Sequence, residues 1–335
     1  MDEKIRVVQY GLGPIGCKSI EFLTERNHID IVGAIDSDPK KVGVDIGDLA
    51  TLPEPLGLRV EDNSKEALRE INADIVVLTT TSSLEQICPQ ILDIVSTGKN
   101  IVSTCEELMY PWLTNPEIAG MLDAAAREYN VSVLSTGVNP GFLMDFLPLV
   151  MTGVCRNVNQ VTVERIQNAQ FRRLPFQTKI GVGLTVPQFE EKATQGSLRH
   201  VGLTESMHLI ASGLGWRLEE TTDIVNPVIA SQPMVASSFT VKSGEVLGVN
   251  QIGRGYVNGE EVITLVFKAA LGEPDPRDRI LINGVPDIDM VIPGGINGDM
   301  ATCAIIVNAI PVVIQSPPGL RTMADISPIS FSKRL

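Results

Sequence analysis

A glycine-rich turn near the N-terminus restricts the possible folds of this chain more than any other feature. The segment YGLGPIG puts Gly11, Gly13 and Gly16 in the spacing G-x-G-x-x-G, between a strand predicted at Ile5 to Tyr10 and a helix predicted at Ile15 to Arg26. The first two glycines permit a tight turn and the approach of a pyrophosphate to the helix N-terminus, and the third permits close packing of the helix on the strand. The segment therefore predicts a dinucleotide-binding unit.

The first half of the chain continues this alternation of short β-branched segments and helical patterns, which is typical of parallel βαβ units. Further strands are predicted at Ile29 to Asp36, Ala73 to Thr80, Asn100 to Cys105 and Val131 to Thr136, and further helices at Ser64 to Ile71, Leu84 to Thr97 and Asn115 to Tyr129. The strands are apolar on both faces, as a sheet covered by helices on each side requires. We therefore predict an α/β fold with a Rossmann-type, doubly wound parallel sheet.

The second half has a different hydrophobic pattern, which predicts an α+β domain with an open, largely antiparallel sheet. Longer, more alternating strands are predicted in VNQVTVERIQ, SFTVKSGEVLGV, EEVITLVFKAAL, DRILINGV and DIDMVIPG, with tight hairpin turns at Asn258-Gly259 and Asn283-Gly284. We predict a dinucleotide-binding domain over residues 1–150 and a substrate-binding and dimerisation domain over residues 151–295. The apolar C-terminal segment, residues 296–335, is predicted to pack back on the first domain.

Asp36 at the end of the second predicted strand supports the assignment of the nucleotide site. It lies twenty residues after Gly16, the position from which a carboxylate binds the adenine-ribose hydroxyls. A carboxylate there favours NAD, because it repels the 2′-phosphate of NADP. Ser37, Lys40 and Lys41 follow it and can offset part of that repulsion, so that both cofactors, NAD and NADP, are predicted.

Polar residues after the later strands are predicted to hold the nicotinamide half, because ligands of such sheets bind outside the carboxyl ends of the strands. The segment TTTSS offers hydroxyl groups, although a plain strand-to-helix turn would also use them. The segment TGVNPGF forms a shaped turn, although a connection between domains would look the same. The predicted cofactor-binding residues are Gly11, Gly13, Pro14, Ile15, Gly16, Asp36, Ser37, Thr79, Thr80, Thr81, Asn139 and Phe142.

Composition narrows the range of partners. Forty acidic and 27 basic residues give a net charge of -13, which disfavours binding to nucleic acid or to an anionic membrane and leaves a small molecule as the expected partner. Five cysteines without a CxxC pair predict neither a disulfide framework nor a metal site, and fit a reducing cytoplasm. We expect no signal peptide after the charged start MDEK, and no apolar segment long enough to span a bilayer.

The segment STCEE, at the end of another strand of the predicted sheet, is a candidate for the chemistry. Three interpretations compete: Cys105 as a nucleophile, a glutamate that moves protons, or a helix N-terminus that favours acidic residues. A nucleophilic thiol needs a base, and His28, one of only three histidines, lies in an early turn out of reach. We favour Glu106 as the acid-base residue and expect Glu107 to contact the domain surface or to cap the helix.

Several segments together resemble one protein family over nearly the whole chain. They are YGLGPIG, VSTCEELMYPW, TGVNPGF, RRLPFQTKIGVGL and GGINGDMATCAIIVNAIP. The chain resembles the 2,4-diaminopentanoate dehydrogenase and native amine dehydrogenase family, relatives of dihydrodipicolinate reductase. The resemblance implies a homodimer that uses NAD(P) to deaminate 2,4-diaminopentanoate to 2-amino-4-oxopentanoate and ammonia, or to aminate ketones in reverse. It also implies a catalytic glutamate in STCEE, which we place at Glu106 with Glu107 as the alternative alignment.

The substrate implied by this resemblance carries a carboxylate, for which the second domain must provide cationic or hydrogen-bonding groups. The candidates are Arg165, Asn168, Arg172, Thr178 and His200, although a solvated or dimer-pairing role is open for each arginine. Two other functions remain open. One is carbonyl reduction of the homoserine dehydrogenase type, whose motif would have a lysine at position 106, and the other is a non-catalytic dinucleotide-binding module.

Overall fold

The computed structural model describes residues 4–172, 174–235 and 240–331, with the side chain of Phe171 outside the description. Its internal contacts divide the chain into unit 1, formed by Met1–Phe142 and Asn297–Leu335, and unit 2, formed by Leu143–Ile296. The division falls at Phe142, whereas the sequence prediction places the boundary at residue 150. Contacts explain the difference, because the helix that follows Asp145 belongs with unit 2, where Ser206 Oγ donates to Asp145 Oδ2 at 2.7 Å.

The regular elements alternate in unit 1 and are mostly strands in unit 2. Unit 1 begins with β1 Ile5–Tyr10, α1 Pro14–Thr24, β2 Ile29–Ile35, α2 Ile46–Leu49, β3 Val60–Glu61, α3 Ser64–Glu70, β4 Ile75–Leu78, α4 Leu84–Val95, β5 Asn100–Ser103, α5 Pro111–Thr114, α6 Pro116–Glu128 and β6 Ser132–Ser135. Unit 2 contains α7 Phe146–Met151, β7 Asn157–Asn168, α8 Leu174–Lys179, α9 Val186–Thr194, α10 Leu203–Gly213, β8 Glu220–Ile229, β9 Met234–Val235, β10 Thr240–Val241, β11 Val246–Val257, β12 Glu260–Ala270, β13 Arg277–Val285 and β14 Ile288–Pro293. Unit 1 resumes with α11 Gly298–Gln315 and β15 Gly319–Arg321.

The sheet of unit 1 is parallel throughout and has the strand order β15-β6-β5-β4-β1-β2-β3. Every residue of β4 and β6 is buried, as expected for central strands with helices on both faces. The predicted Rossmann-type sheet is confirmed. The prediction lacked the short strands β3 and β15 and the helices α2 and α5.

The sheet of unit 2 has the order β14-β13-β7-β12-β11-β8, and only the pair β7–β12 is parallel. Val163, Leu265 and Ile280 face a core that also contains Leu203 and Met207 of α10. The largely antiparallel sheet predicted for this half is therefore confirmed, with one parallel pair in its middle.

Two turn and strand predictions in unit 2 need correction. Asn258-Gly259 is a hairpin turn with both φ angles positive, as predicted. Asn283-Gly284 instead lies inside β13, where the pairing with β7 shifts, and a Cβ on Gly284 would meet the Asn157 carbonyl oxygen at 2.3 Å. It is a bulge, for which the missing side chain is needed. Of the strand predicted in SFTVKSGEVLGV, Ser238 and Phe239 lie outside the described residues, and the rest is divided between β10 and β11.

The helix α11 returns the chain to unit 1 and packs on α1. By length and composition alone it is apolar enough to cross a membrane. However, Cys303, Ile306, Ile310 and Val313 are buried, and Cys303 Sγ lies 3.6 Å from the Ile15 carbonyl oxygen. The prediction that no apolar segment is long enough to span a bilayer therefore needs qualification: α11 has the length, and 33% of it is buried inside the structure.

Candidate active site

Four neighbouring strands of unit 1 end in line and bring the predicted cofactor and catalytic segments to one edge of the sheet. The pairing places Tyr10 opposite Leu78, Leu78 opposite Ser103, and Ser103 opposite Ser135. The loops that follow β1, β4, β5 and β6 therefore start side by side. This is the carboxyl edge, where ligands of open parallel sheets bind.

The three glycines of the first loop are required for three different reasons. Gly11 has a φ of +93°, and a Cβ there would lie 2.7 Å from the Thr79 carbonyl oxygen. A Cβ on Gly16 would lie 1.9 Å from the Gly11 carbonyl oxygen, so the helix could not pack against the loop. Gly13 differs, because a Cβ there would meet nothing within 4 Å. The space over Gly13 is open, as expected where a ligand approaches the backbone.

The N-terminus of α1 can hold an anion. Gly13 occupies its N-cap without a side-chain hydrogen bond, Pro14 follows it, and the first turn contains no acidic residue. The unpaired amide groups and the helix dipole therefore point to the open space over the glycine loop. A dinucleotide pyrophosphate fits this arrangement.

A buried glutamine, missed by the sequence interpretation, supports the glycine loop from below. Gln9 is completely buried in β1, and its Nε2 donates to the Gly11 carbonyl oxygen at 3.0 Å and to Thr79 Oγ1 at 2.9 Å. Thr79 Oγ1 in turn donates to the Gly11 carbonyl oxygen at 2.8 Å. Thr79 therefore braces the loop. The available signal was a polar residue inside an otherwise apolar strand.

Asp36 is held by three donors at the edge of the same loop. It accepts from Leu12 N at 2.6 Å, from Asp38 N at 2.8 Å and from Lys41 Nζ at 3.1 Å. Burial acts to raise its pKa, but the two backbone amides and the Lys41 ammonium outweigh burial and hold the pKa below its ordinary value. Asp36 is therefore an anion at neutral pH and can accept hydrogen bonds from ribose hydroxyls.

The remaining predicted cofactor residues lie on the loops after β4 and β6. Thr80 Oγ1 donates to Gln90 Oε1 at 2.6 Å, and Thr81 Oγ1 donates to Gln86 Oε1 at 3.0 Å, so both hydroxyls bind glutamine side chains of α4. Asn139 precedes a cis proline and Phe142 is half-buried. Ile15 lies in the first turn of α1, and Ser37 is exposed after Asp36.

Close packing fixes the loop after β6. Gly141 has a φ of +125°, and a Cβ there would lie 2.4 Å from Gly137 N. Val138 N donates to Thr302 Oγ1 at 3.2 Å, so the first turns of α11 hold this loop in place. The loop that carries Asn139 and Phe142 thus depends on a helix far away in the sequence.

The cysteine of STCEE is not suited to act as a nucleophile. Cys105 is completely buried, and its thiol donates to the Ser82 carbonyl oxygen at 3.2 Å. Burial raises its pKa to about 12, and the nearby carboxylates of Glu106 and Glu107 act in the same direction. The thiolate needed for attack is therefore negligible at neutral pH. Cys105 packs in the core.

The two adjacent glutamates differ in their contacts. Glu107 Oε2 accepts from Leu84 N at 2.7 Å and so caps the N-terminus of α4. Glu106 starts a 3-10 turn, Glu106–Leu108, and is half-buried. Within the part of the chain that the structure describes, the Glu106 carboxylate has no hydrogen bond or ion pair. One glutamate has a structural partner, and the other offers its carboxylate at the ligand-binding edge of the sheet.

Three of the predicted substrate residues of unit 2, Asn168, Arg172 and Thr178, lie in the segment that runs from the end of β7 through the short helix α8. Asn168 Oδ1 accepts from Gln170 N at 3.0 Å, and the exposed Thr178 donates to the Leu174 carbonyl oxygen at 3.0 Å. Arg172 donates to Gln167 Oε1 at 3.1 Å. Its guanidinium lies 4.2 Å from the centre of the Phe176 ring.

His200 sits in a polar arrangement built around Gln251. The backbone N–H of His200 donates to Gln251 Oε1 at 2.7 Å. In return, Gln251 Nε2 donates to the His200 carbonyl oxygen at 3.0 Å and to Asp223 Oδ1 at 2.8 Å. The imidazole stacks on Phe267 with ring centres 4.5 Å apart. His200 thus has a fixed position on the sheet of unit 2.

Arg165, a further candidate for the substrate carboxylate, has a structural partner instead. It is 2% exposed and donates through Nη1 to Asp278 Oδ1 at 2.8 Å and through Nη2 to the Ile296 carbonyl oxygen at 3.0 Å. Its guanidinium is therefore occupied within the sheet. Among the described residues there is also no group of three or more His, Cys, Asp or Glu that could hold a metal ion.

Comparisons with known proteins agree with this arrangement. Residues 142–332 match the C-terminal domain of 2,4-diaminopentanoate dehydrogenase. The chain is 34% identical to a 2,4-diaminopentanoate dehydrogenase from Acetoanaerobium sticklandii over 97% of this chain and 94% of the relative. It is 23% identical to an amine dehydrogenase from Streptomyces virginiae, over 96% of each chain.

A solved structure, that of the amine dehydrogenase from Mycobacterium smegmatis, is similar over 99% of this chain and 98% of that one, with a TM-score of 0.87 and 27% identity. The sequence similarity thus covers both the parallel sheet with its glycine loop and the second, mixed sheet. The chain therefore belongs to the 2,4-diaminopentanoate dehydrogenase family of amine dehydrogenases, oxidoreductases that act on amines with a nicotinamide dinucleotide as cofactor.

Proposed function

We propose that the protein oxidatively deaminates 2,4-diaminopentanoate to 2-amino-4-oxopentanoate and ammonia, and catalyses the reverse amination of ketones. The observation that carries the proposal is Glu106. Its half-buried carboxylate has no hydrogen bond or ion pair among the described residues, and it follows β5 at the same sheet edge as the glycine loop. Amine oxidation needs a carboxylate of this kind, since protons must leave and return at the reacting nitrogen.

Glu106 would carry out each proton transfer at the substrate. Glu106 takes a proton from the substrate ammonium and passes it to solvent, and C4 of the substrate then loses a hydride, which leaves an iminium ion. Water adds to that carbon while the Glu106 carboxylate accepts one proton from it, and Glu106 returns that proton to the nitrogen of the resulting carbinolamine. The C–N bond then breaks, ammonia departs, and the hydroxyl group loses its proton to Glu106 and so to solvent, which leaves the ketone. A bound nicotinamide ring would supply the hydride acceptor.

The open space over Gly13 and the charge of Asp36 indicate how the residues of unit 1 would hold the cofactor. The amides over Gly13 would bind the pyrophosphate, and Asp36 would bind the adenine-side ribose. We propose that the site accepts both NAD and NADP. Of the polar residues at this edge, Thr79 would contribute through the loop that it braces.

We further propose that Asn168, Arg172, Thr178 and His200 bind the substrate carboxylate. The support is chemical, since guanidinium, imidazole, amide and hydroxyl groups are the usual partners of carboxylates. The stacking of Arg172 on Phe176 and of His200 on Phe267 limits the motion of both groups, which lowers the entropy lost when a ligand binds.

A homodimer in the cytoplasm completes the proposal. The second face of the unit 2 sheet carries an apolar row that includes Ile224, 48% exposed, with Ile252 and Val266 beside it in register. The row then continues through the charged Glu164 and Arg279 to Val291, which is 44% exposed. A second copy of the chain would cover this row. Sedimentation velocity of the full chain would then give the mass of two copies, and a single-copy mass would contradict the dimer.

An assay in both directions tests the proposed reaction. The purified protein is incubated with NADH or NADPH and 2-amino-4-oxopentanoate, with and without ammonia, and in the other direction with NAD or NADP and 2,4-diaminopentanoate. We expect cofactor oxidation that requires ammonia, and cofactor reduction by the diamine. Turnover without ammonia would contradict the proposal and favour carbonyl reduction.

Matched substitutions test the catalytic residue. Glu106→Gln removes the proton acceptor and is expected to lower kcat by about 100-fold or more, while cofactor affinity stays within about threefold. Glu107→Gln keeps an acceptor for Leu84 N and is expected to lower kcat less than about threefold, with a loss of stability below about 1 kcal/mol. The opposite ranking of the two variants would move the acid-base role to Glu107.

A further inference from the structure

We propose that Lys41 is the residue that allows this site to accept a 2′-phosphorylated dinucleotide beside an aspartate that would otherwise exclude it. The inference deepens the proposed cofactor role of the glycine loop and depends on it. It concerns one ion pair at the edge of that loop, between the Lys41 ammonium and the Asp36 carboxylate, which is the group that faces the adenine-side ribose in dinucleotide sites of this type.

Lys41 stands between two carboxylates. Its Nζ lies 3.1 Å from Asp36 Oδ2 and 3.6 Å from Asp38 Oδ2, and a quarter of its side chain is exposed. The three groups together carry one net negative charge. Without the lysine the same place would carry two negative charges, and a phosphate dianion would meet an electrostatic barrier.

Lys41 is also the exchangeable donor of the three that hold Asp36. The other two are the backbone amides of Leu12 and Asp38, which the loop fixes in place. An ionised carboxylate has about four acceptor positions, so three donors leave about one for a ribose hydroxyl. The flexible lysine can remain on Asp36 when the ribose carries a 2′-hydroxyl, and can turn to the phosphate when the ribose carries a 2′-phosphate.

The neighbouring lysine does not share this position. The Lys40 side chain is exposed, and among the described residues it makes no ion pair. Its backbone N–H donates to Asp38 Oδ1 at 3.0 Å, and its side chain lies in solvent. The sequence DSDPKK offers two adjacent lysines, and the structure assigns the electrostatic role to the second. Lys40 is therefore a matched control of the same charge.

The test measures binding rather than turnover. Dissociation constants for NADH and NADPH are determined from reduced-nicotinamide fluorescence with the full chain and with the variants Lys41→Gln, Lys41→Arg and Lys40→Gln. We expect Lys41→Gln to weaken NADPH about tenfold or more and to change NADH less than about threefold. Lys41→Arg keeps the charge and should retain NADPH, and Lys40→Gln should change both constants less than about threefold. Added salt should weaken NADPH more than NADH in the unmodified protein.

Two results would overturn the inference. One is a Lys41→Gln variant in which both constants change by the same factor or neither changes, and the other is an unmodified protein that binds NADH but not NADPH. The proposed reaction is tested separately, because a selective loss of NADPH binding in a protein without ammonia-dependent turnover would support the role of Lys41 and contradict the reaction.

Discussion

The two sheets of this protein place their charged groups in opposite ways. In the parallel sheet of unit 1, the ionised groups lie at strand ends, as in Asp36 after β2 and Glu106 after β5, while the central strands are apolar and buried. The mixed sheet of unit 2 instead buries Arg165 and Asp278 opposite each other on two neighbouring interior strands, β7 and β13. A charge at the ligand-binding edge can meet a ligand, whereas a charge buried between interior strands is neutralised by its partner.

The comparison explains why similar residue types differ in function. Arg165 and Glu106 both belong to segments that the sequence marks as candidate sites. The guanidinium is fixed by Asp278 and by the Ile296 carbonyl oxygen, while the carboxylate has no such partner among the described residues. Burial beside a partner of opposite charge therefore separates the structural charge from the candidate catalytic charge.

Breaking the buried pair of unit 2 should give the largest effect. Arg165→Met leaves the Asp278 carboxylate buried without its partner and is expected to cost about 3–5 kcal/mol in the free energy of unfolding. Arg277→Met is the matched control, because Arg277 pairs with Glu164 on the same two strands but is about one-fifth exposed, and should cost about 1 kcal/mol or less. The measurement is the free energy of unfolding of the full chain, from a denaturant titration.

A double variant sharpens this result. Arg165→Met combined with Asp278→Leu removes both charges and should recover part of the lost stability. Equal costs for the Arg165 and Arg277 variants would show that burial in the sheet does not distinguish the two pairs.

Loss of the Gln9 hydrogen bonds that hold the glycine loop should give an intermediate effect, measured as cofactor affinity. Gln9→Leu removes two hydrogen bonds, to Gly11 and to Thr79, and is expected to weaken NADH binding about tenfold. The KM for the cofactor should rise while kcat stays within about threefold, because Gln9 positions the loop and does not touch the reacting atoms. Thr79→Ser keeps the hydroxyl and should bind NADH within about threefold of the unmodified protein. An unchanged cofactor affinity in Gln9→Leu would contradict the brace.

The partly exposed ion pair of Arg6 and Asp74 lies at the edge of the unit 1 sheet opposite the ligand-binding edge. Its loss should have the smallest effect on stability, with a pH dependence of known sign. The pKa of Asp74 is lowered chiefly by the hydrogen bond from the Arg6 side chain, with burial acting against it and the Arg6 backbone amide adding to it. A lowered folded-state pKa contributes stability above the unfolded pKa of about 3.9, and that stability is lost as pH falls through the folded value. Asp74→Asn should therefore cost about 1 kcal/mol or less at pH 7, and this difference should shrink below about pH 4.

Thermal melting of both proteins between pH 3.5 and pH 7 measures this difference. A gap that widens as the pH falls would contradict the assigned sign, since protonated Asp74 loses the charge that pairs with Arg6.

Patterns within a few residues of each other predicted most of unit 1. The strand β1 and the glycine loop follow from local periodicity and from the steric needs of Gly11 and Gly16. The edge strand β15 has only three residues after two prolines and exists because it pairs with β6, which no local pattern reveals. Likewise β8 contains Pro227, which argues against a central strand, and it lies at the edge of its sheet, where a proline is tolerated.

In the candidate site, too, only the features with a local sequence pattern could be predicted. The motif and Asp36 were predictable because each carries its own spacing. The roles of adjacent Glu106 and Glu107 depend on which of them reaches Leu84 N at the start of α4, a contact between residues 23 positions apart. The structural role of Arg165 depends on Asp278, which is brought beside it only by the pairing of β7 and β13. Contacts of this kind arise from the fold and leave no local pattern.

The order of elements along the chain has a consequence for synthesis. The helix α11, which holds the loop after β6 through Thr302, and the strand β15, which covers the edge of β6, both follow the whole of unit 2. A ribosome must therefore release unit 2 before unit 1 can close. During that interval β6 presents an unpaired edge, which is a risk for aggregation. The sheet of unit 1 is therefore complete only after β15, which follows unit 2, has been synthesised.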